Sequence, residues 1–225
     1  MPHFDIVKQN RPDITFRVSK VMSDFDVKPE HSNEHFVGDI NFPDKWNIGV
    51  IVGRSGTGKS TIAKELFSAE LYTGGSGYTH KSVIDDMPGG SVDEITKMFY
   101  AVGFGSVPSW LKPYAVLSNG EKMRVDLARA LLEKDFVVFD EFTSVIDRTV
   151  AQTACIAVNK AVKRTGKKFV AVTCHDDVLE WLQPDWVFDT NEMRCFFGTS
   201  RDRKGNLPSD NAGAENGKSF GVIII

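Results

Sequence analysis

The chain has 225 residues, 41% hydrophobic and 25% charged, with 27 Lys and Arg against 30 Asp and Glu for a net charge of −3. That length can bury a full core, and the composition is that of a globular domain, not of a disordered or fibrous chain. The slight acidic excess argues against a dedicated polyanion binder, and no apolar run approaches the ~18 residues of a membrane-spanning helix.

In chain order, the opening MPHFDIVKQN has no apolar stretch like that of a secretion signal, so a cytoplasmic location is expected. Residues 13–28 alternate apolar and polar, as do 35–42, which predicts two antiparallel strands. The run 46–52, WNIGVIV, is nearly all apolar and ends at Gly53, as a buried parallel strand would. From Ser60, the residues Ile62, Ala63, Leu66 and Phe67 mark one helix face. Turns are expected at 74–78 and 88–90, and a helix over 93–104. A second amphipathic helix runs from 118 to near Glu133, with Met123, Leu127, Ala130 and Leu131 on its apolar side. Apolar strands at 136–141 and 168–174 flank a helix over 148–164 that Gly166 stops. A short helix before Pro184 and a hairpin of 186–189 with 195–197 complete the pattern. Strands alternating with helices predict an α/β fold with a parallel core sheet, and the antiparallel start predicts a small β subdomain beside it. Residues 198–219 read as a flexible tail. The apolar 220–225 should add a strand to a sheet edge, in its own chain or in a partner. Cys155, Cys174 and Cys195 are scattered and odd in number, and they read as buried thiols, not as a metal or disulfide framework.

Gly53-Arg54-Ser55-Gly56-Thr57-Gly58-Lys59-Ser60 fits G-x-x-x-x-G-K-[ST] without a mismatch, followed by Thr61, between an apolar strand and a helix. Glycines let successive backbone N–H groups turn inward on phosphates, and the helix N-terminus adds a positive end. Lys59 is then expected on the β- and γ-phosphates of a nucleotide and the Ser60 hydroxyl on Mg²⁺. The strand 136–139 ends in Asp140-Glu141. Beside a phosphate loop, Asp140 becomes the second metal partner and Glu141 the base that orients and deprotonates the attacking water.

Leu117-Ser118-Asn119-Gly120-Glu121 opens a helix with Arg124, Asp126, Leu127, Ala128, Arg129 and Ala130. Here the sequence resembles the ABC ATPase family, whose signature peptide is LSGGQ followed by a helix with an Ala-Arg-Ala-Leu-like run. Asn119 and Glu121 depart from that pattern. The resemblance implies ATP as ligand and a homodimer in which Ser118, Asn119, Gly120 and Glu121 face the γ-phosphate held by the other subunit. It also implies a D-loop role for Ser144-Val145-Ile146-Asp147, with Asp147 near the nucleotide, and a switch role for His175 after the third apolar strand. The family's glutamine between the phosphate loop and the signature is missing, since residues 62–116 contain no Gln. Asp85 or Asp86 could ligate Mg²⁺ in its place, or the pair could be a solvated acidic turn. Phe25 or Phe36 is the candidate to stack on the purine, and both could instead be core.

The wording of 116–152 and 174–186 is similar to a soluble branch of the family found in phages, mobile elements and archaea, sometimes fused to an acetyltransferase-like domain. The expected organisation is one ATPase domain over 1–197, with a reduced helical insert at about 80–132, and a tail over 198–225. The expected function is ATP hydrolysis in a nucleotide-sandwich dimer that drives a process on nucleic acid or a protein partner. The ATP-binding subunit of a membrane transporter is the alternative, and the short insert weighs against it.

Overall fold

A computed structural model describes residues 2–9, 12–27, 33–197 and 223–224. Two sheets organise it. The larger has six strands in the order β4 (Leu71–Tyr72), β5 (Phe136–Phe139), β6 (Lys168–Thr173), β3 (Ile48–Val52), β7 (Trp186–Asp189) and β8 (Arg194–Phe197). All neighbours pair parallel except β7 with β8, the expected hairpin. Every residue of β3 is buried. Ile48, Val50 and Val52 join the core on one face of the sheet, and Ile51 joins the core on the other. Such a strand, covered on both faces, is what a continuous apolar run encodes.

Helices cover both faces. Helix α2 (Lys59–Phe67) turns Ile62, Ala63 and Phe67 into the core shared with the N-terminal strands. Opposite lie α3 (Val92–Ala101), α5 (Asn119–Glu133), α6 (Arg148–Thr165) and α7 (Val178–Leu182). Between α3 and α5 the chain makes a single turn, α4 (Val107–Trp110), and a 3₁₀ turn, Tyr114–Val116. The helical insert is therefore small.

The N-terminal sheet differs from expectation. Its central strand is β2 (Asn33–Asp39), but the antiparallel partner is β1 (His3–Gln9) and not residues 13–28. That segment contains α1 (Phe16–Phe25) instead. Val18, Val21, Met22 and Phe25 also satisfy helical spacing, the Thr15 hydroxyl accepts from Val18 N at 3.3 Å, and Asp26 ends the helix in the left-handed conformation. These caps settle a pattern that both periods fit. No residue of α1 is buried.

On the other edge of β2, β9 (Ile223–Ile224) pairs antiparallel, with Ile224 opposite Glu34 and Ile223 opposite His35. The expected edge strand thus forms within the chain. The expected tail, 198–219, lies outside the described residues. Among those residues, no helix is long and apolar enough to cross a membrane. Cys155 is buried, and burial pushes its thiol up to about 12. Cys174, contrary to expectation, is exposed, and Cys195 is half-buried.

Candidate functional site

The phosphate loop spans the gap between β3 and α2. Gly56 and Gly58 adopt φ of 84° and 82°, a region that favours glycine. At Gly58 there is a second constraint, because a Cβ would fall 2.6 Å from the Phe36 ring. Thr57 and Lys59 close the loop on itself: Thr57 Oγ1 donates to Arg54 O at 2.8 Å, and Lys59 Nζ to the same carbonyl at 2.7 Å. Burial lowers the Lys59 pKa, and the charges of Cys174, Asp140 and Glu141 oppose that shift in part.

Asp140 and Glu141 follow β5 directly. The Ser60 hydroxyl donates to Asp140 Oδ1 at 3.0 Å, and Glu141 N donates to the same oxygen at 2.9 Å. Glu141 and Thr143 have φ of 51° and 67°, uncommon for residues with a Cβ and costly for a β-branched one. Fully buried Phe142, whose N–H donates to Val172 O at 2.8 Å, pins the turn to β6. Thr143 is 1% exposed and its hydroxyl has no hydrogen-bond partner.

Ser55, Gly56, Gly58, Lys59, Ser60, Thr61, Asp140 and Glu141 line one cavity of about 330 Å³. Ser144, the first residue of the expected D-loop, is also in its wall, together with residues the motifs did not indicate: Cys174 and Thr173 from the end of β6, and Lys8 and Glu34 from the N-terminal sheet. Thr190 and Asn191, just past β7, brace the loop from below. Thr57 Oγ1 meets Thr190 Oγ1 at 2.5 Å, and Arg54 N donates to Asn191 Oδ1 at 3.0 Å. The one signal for them was position: ligand crevices in parallel sheets lie beyond the C-terminal strand ends.

The signature forms a capping box. Ser118 Oγ accepts from Glu121 N at 3.3 Å, while Glu121 Oε2 accepts from Ser118 N and Oγ, each at 2.9 Å. Ser109 Oγ donates to Glu121 Oε1 at 2.7 Å. These bonds, Ser109's foremost, hold the Glu121 carboxyl below its ordinary range. Its charge is thus spent on the helix N-terminus. Ser118, Asn119, Gly120 and Glu121 do not line the phosphate cavity. Asn119 lines a second one, of about 210 Å³, together with Thr73, Asp126, Asp140, Glu141 and Thr143.

The remaining candidates are dispersed. Asp147 is the exposed N-cap of α6, accepting from Thr149 N at 2.8 Å. His175 follows β6, and its N–H donates to Thr173 Oγ1 at 3.2 Å, but the cavity wall at this strand end is Cys174. Asp85 and Asp86 are not brought to either cavity. Asp86 is buried and accepts from Thr79 N at 2.9 Å and His80 N at 3.0 Å, with His80 Nδ1 at 2.6 Å. Exposed Asp85 accepts from the Ser82 hydroxyl. Both close a loop of their own. Thr73, immediately after β4, lines the second cavity together with Asp140 and Glu141. Phe36 is 1% exposed beneath Gly58, so it is core and not a stacking surface. Phe25 is 73% exposed on α1.

No protein-family model matches the chain, and no curated protein matches it. Solved structures do. A bacterial ABC transporter cassette, MJ0796, in dimeric form aligns with a TM-score of 0.55 and 16% identity, covering 73% of this chain and 92% of its own. The same cassette in a dimeric post-hydrolysis state with ADP and Pi gives 0.54 and 14%, over 78% and 90%. A metal-chelate type ABC transporter in an inward-facing conformation gives 0.58 and 18%, over 74% and 77%. At these identities the likeness is one of fold: the α/β core, its helices and the N-terminal sheet have the architecture of ABC cassettes.

Proposed function

We propose that the chain is an ABC-type ATPase, which binds ATP with Mg²⁺, hydrolyses it to ADP and phosphate, and closes head to tail on a second copy around two nucleotides. The observation that carries this reading is the convergence of Lys59, Ser60, Asp140 and Glu141 on one cavity from two strand ends. The Ser60 and Asp140 oxygens, 3.0 Å apart, suit a hard cation that takes few protein ligands and completes its shell with phosphates and water. When bound there, Mg²⁺ would neutralise charge on the phosphates.

The chain's own groups do the rest. The Lys59 ammonium faces the triphosphate, and loop N–H groups cradle it. The Glu141 carboxylate takes a proton from water as the water oxygen bonds to the γ-phosphorus and the bond to the β-phosphate oxygen breaks. Ser118 and Asp147 are exposed and outside the cavity wall, which supports their acting on a partner subunit's nucleotide. Its place in the second cavity with Asp140 and Glu141 supports Thr73, in place of Asp85 or Asp86, for the station of the missing glutamine.

The work driven is a process on nucleic acid or a protein partner, a reading supported by the resemblance of 116–152 and 174–186 to the soluble phage and archaeal branch. Exposed Val92, Tyr100, Val107 and Leu111 on the small insert keep a second reading, a cassette docked on a membrane transporter subunit, in play. Co-purification with a polytopic membrane protein would favour it. The ATPase itself is tested by phosphate release. Wild type should turn over only with Mg²⁺, and Glu141→Gln should keep ATP binding while losing about 100-fold or more in kcat. A wild-type rate in that variant would refute the assignment of Glu141.

A further inference from the structure

Asp126 lies on α5 about two turns beyond Ser118. It is 6% exposed, between buried Val125 and Leu127, where an aliphatic residue would fit without desolvating a charge. Its carboxylate accepts four hydrogen bonds: from Tyr114 Oη at 2.7 Å, Tyr78 Oη at 2.8 Å, Tyr72 Oη at 3.2 Å and Gly75 N at 3.2 Å. The donors come from the end of β4, from the loop 73–78 that follows it, and from the 3₁₀ turn just before the signature. Burial and the neighbouring carboxylate push all three tyrosines up, so their hydroxyls stay donors across the physiological range.

The rings add to the fastening. Tyr78 and Tyr114 stack 4.0 Å apart and 7° from parallel. The Arg129 guanidinium sits 4.9 Å from the Tyr78 ring, and the Lys122 ammonium 5.6 Å from that of Tyr114. Lys122, Asp126 and Arg129 are spaced i, i+4, i+7, one face of α5. Arg129 also donates to Ser76 O at 3.3 Å and Gly77 O at 2.9 Å. Loop 73–78 is thus held by α5 through both N–H and C=O groups. With Gly74, Gly75 and Gly77 at φ of 70°, 69° and 78°, the loop has little stiffness of its own. Its first residue, Thr73, lines the second cavity with Asp140 and Glu141, and Asp140 N donates to Tyr72 O at 3.3 Å.

We propose that Asp126 is a positioning residue that fastens the signature end of α5 to the Asp140–Glu141 end of the sheet through loop 73–78. A displacement of Ser118 then reaches the catalytic wall of the same subunit. Resting on the ATPase reading above, this makes turnover in one subunit depend on how its own signature engages the partner's nucleotide.

Full-length wild type, Tyr114→Phe and Asp126→Asn are compared below their unfolding transitions. Without nucleotide, amide exchange at 75–78 and at 117–121 should accelerate together, by about ten-fold in Asp126→Asn and less in Tyr114→Phe, with β3 unchanged. With ATP, Kd for the unassociated chain should stay within about two-fold while kcat drops about ten-fold and KM moves less than about three-fold. Acceleration in only one of the two segments overturns the fastening. Both segments loosening with kcat intact overturns the transmission, and loss of ATP affinity in step with kcat reduces the cluster to general support. Should Asp126→Asn not fold, Tyr114→Phe decides each point. Absence of Glu141-dependent turnover in wild type would sink the ATPase reading instead, and the exchange arm still decides whether the two segments are fastened.

Discussion

Asp86 and His80 show how a residue can fit a functional expectation by type and fail it by place. The carboxylate is oxygen-rich and lies between the phosphate loop and the signature, yet its acceptors are spent on Thr79 N and on His80. Burial alone would raise the Asp86 pKa; the hydrogen bonds from Thr79 and His80 outweigh it, and the net shift is downward. A folded value below the unfolded one, about 3.9, means the carboxylate's contribution is full above that value and is lost as pH falls through the folded one. Asp86→Asn should therefore lower stability by about 1–2 kcal/mol at neutral pH, with the gap to wild type closing below about pH 4. Denaturant unfolding at pH 7 and at low pH checks this, and a pH-independent gap would contradict it. Phe36 makes the same point in reverse. Its spacing from the loop suits a stacking ring, but Gly58 shows that the ring lies against the loop's backbone, inside the core.

At the scale of elements, the strands and helices carrying the chemistry were legible because their patterns are local. The apolar runs of β3, β5 and β6, the Lys-Ser after a glycine loop and the Ser118 cap each fall within a few residues. Helix α1 was not legible, since the alternating segment 13–28 also fits a helical stripe over the ten residues Phe16–Phe25 and only the caps decide. The Asp126 cluster was invisible for another reason: its donors, Tyr72, Tyr78 and Tyr114, are up to 54 residues away. Glu121, an apparent blemish in the signature, proves to be the third-position partner of a capping box. Glu121→Gln keeps an acceptor and should leave stability within about 0.5 kcal/mol of wild type, whereas Glu121→Ala should cost about 1 kcal/mol. Thermal unfolding of the two variants distinguishes them, and equal losses would mean that the cap contributes nothing.

For the molecule as a whole, the phosphate cavity and the signature are separate surfaces of one chain, and the proposed head-to-tail pair would bring one to the other. ATP held without hydrolysis should then join them: Glu141→Gln with ATP and Mg²⁺ should shift from monomer to dimer by light scattering, and adding Ser118→Arg should abolish the shift. A monomer at saturating ATP and high protein concentration would count against the sandwich. Thr190 and Asn191, which brace the phosphate loop, and Thr73 in the second cavity could be found only once strand order was known, since sequence motifs do not state which strand ends lie side by side.

Strand order also sets a schedule. The phosphate loop is encoded by residue 60, but β3, which carries it, pairs with β6 and β7: Val52 lies opposite Thr173 on one side and Asp189 on the other. A chain emerging from the ribosome thus holds a finished motif with no platform beneath it until β6 and β7 have been made more than a hundred residues later. Pairings of such separation are slow to close, so the loop is written well before the cavity it lines can exist.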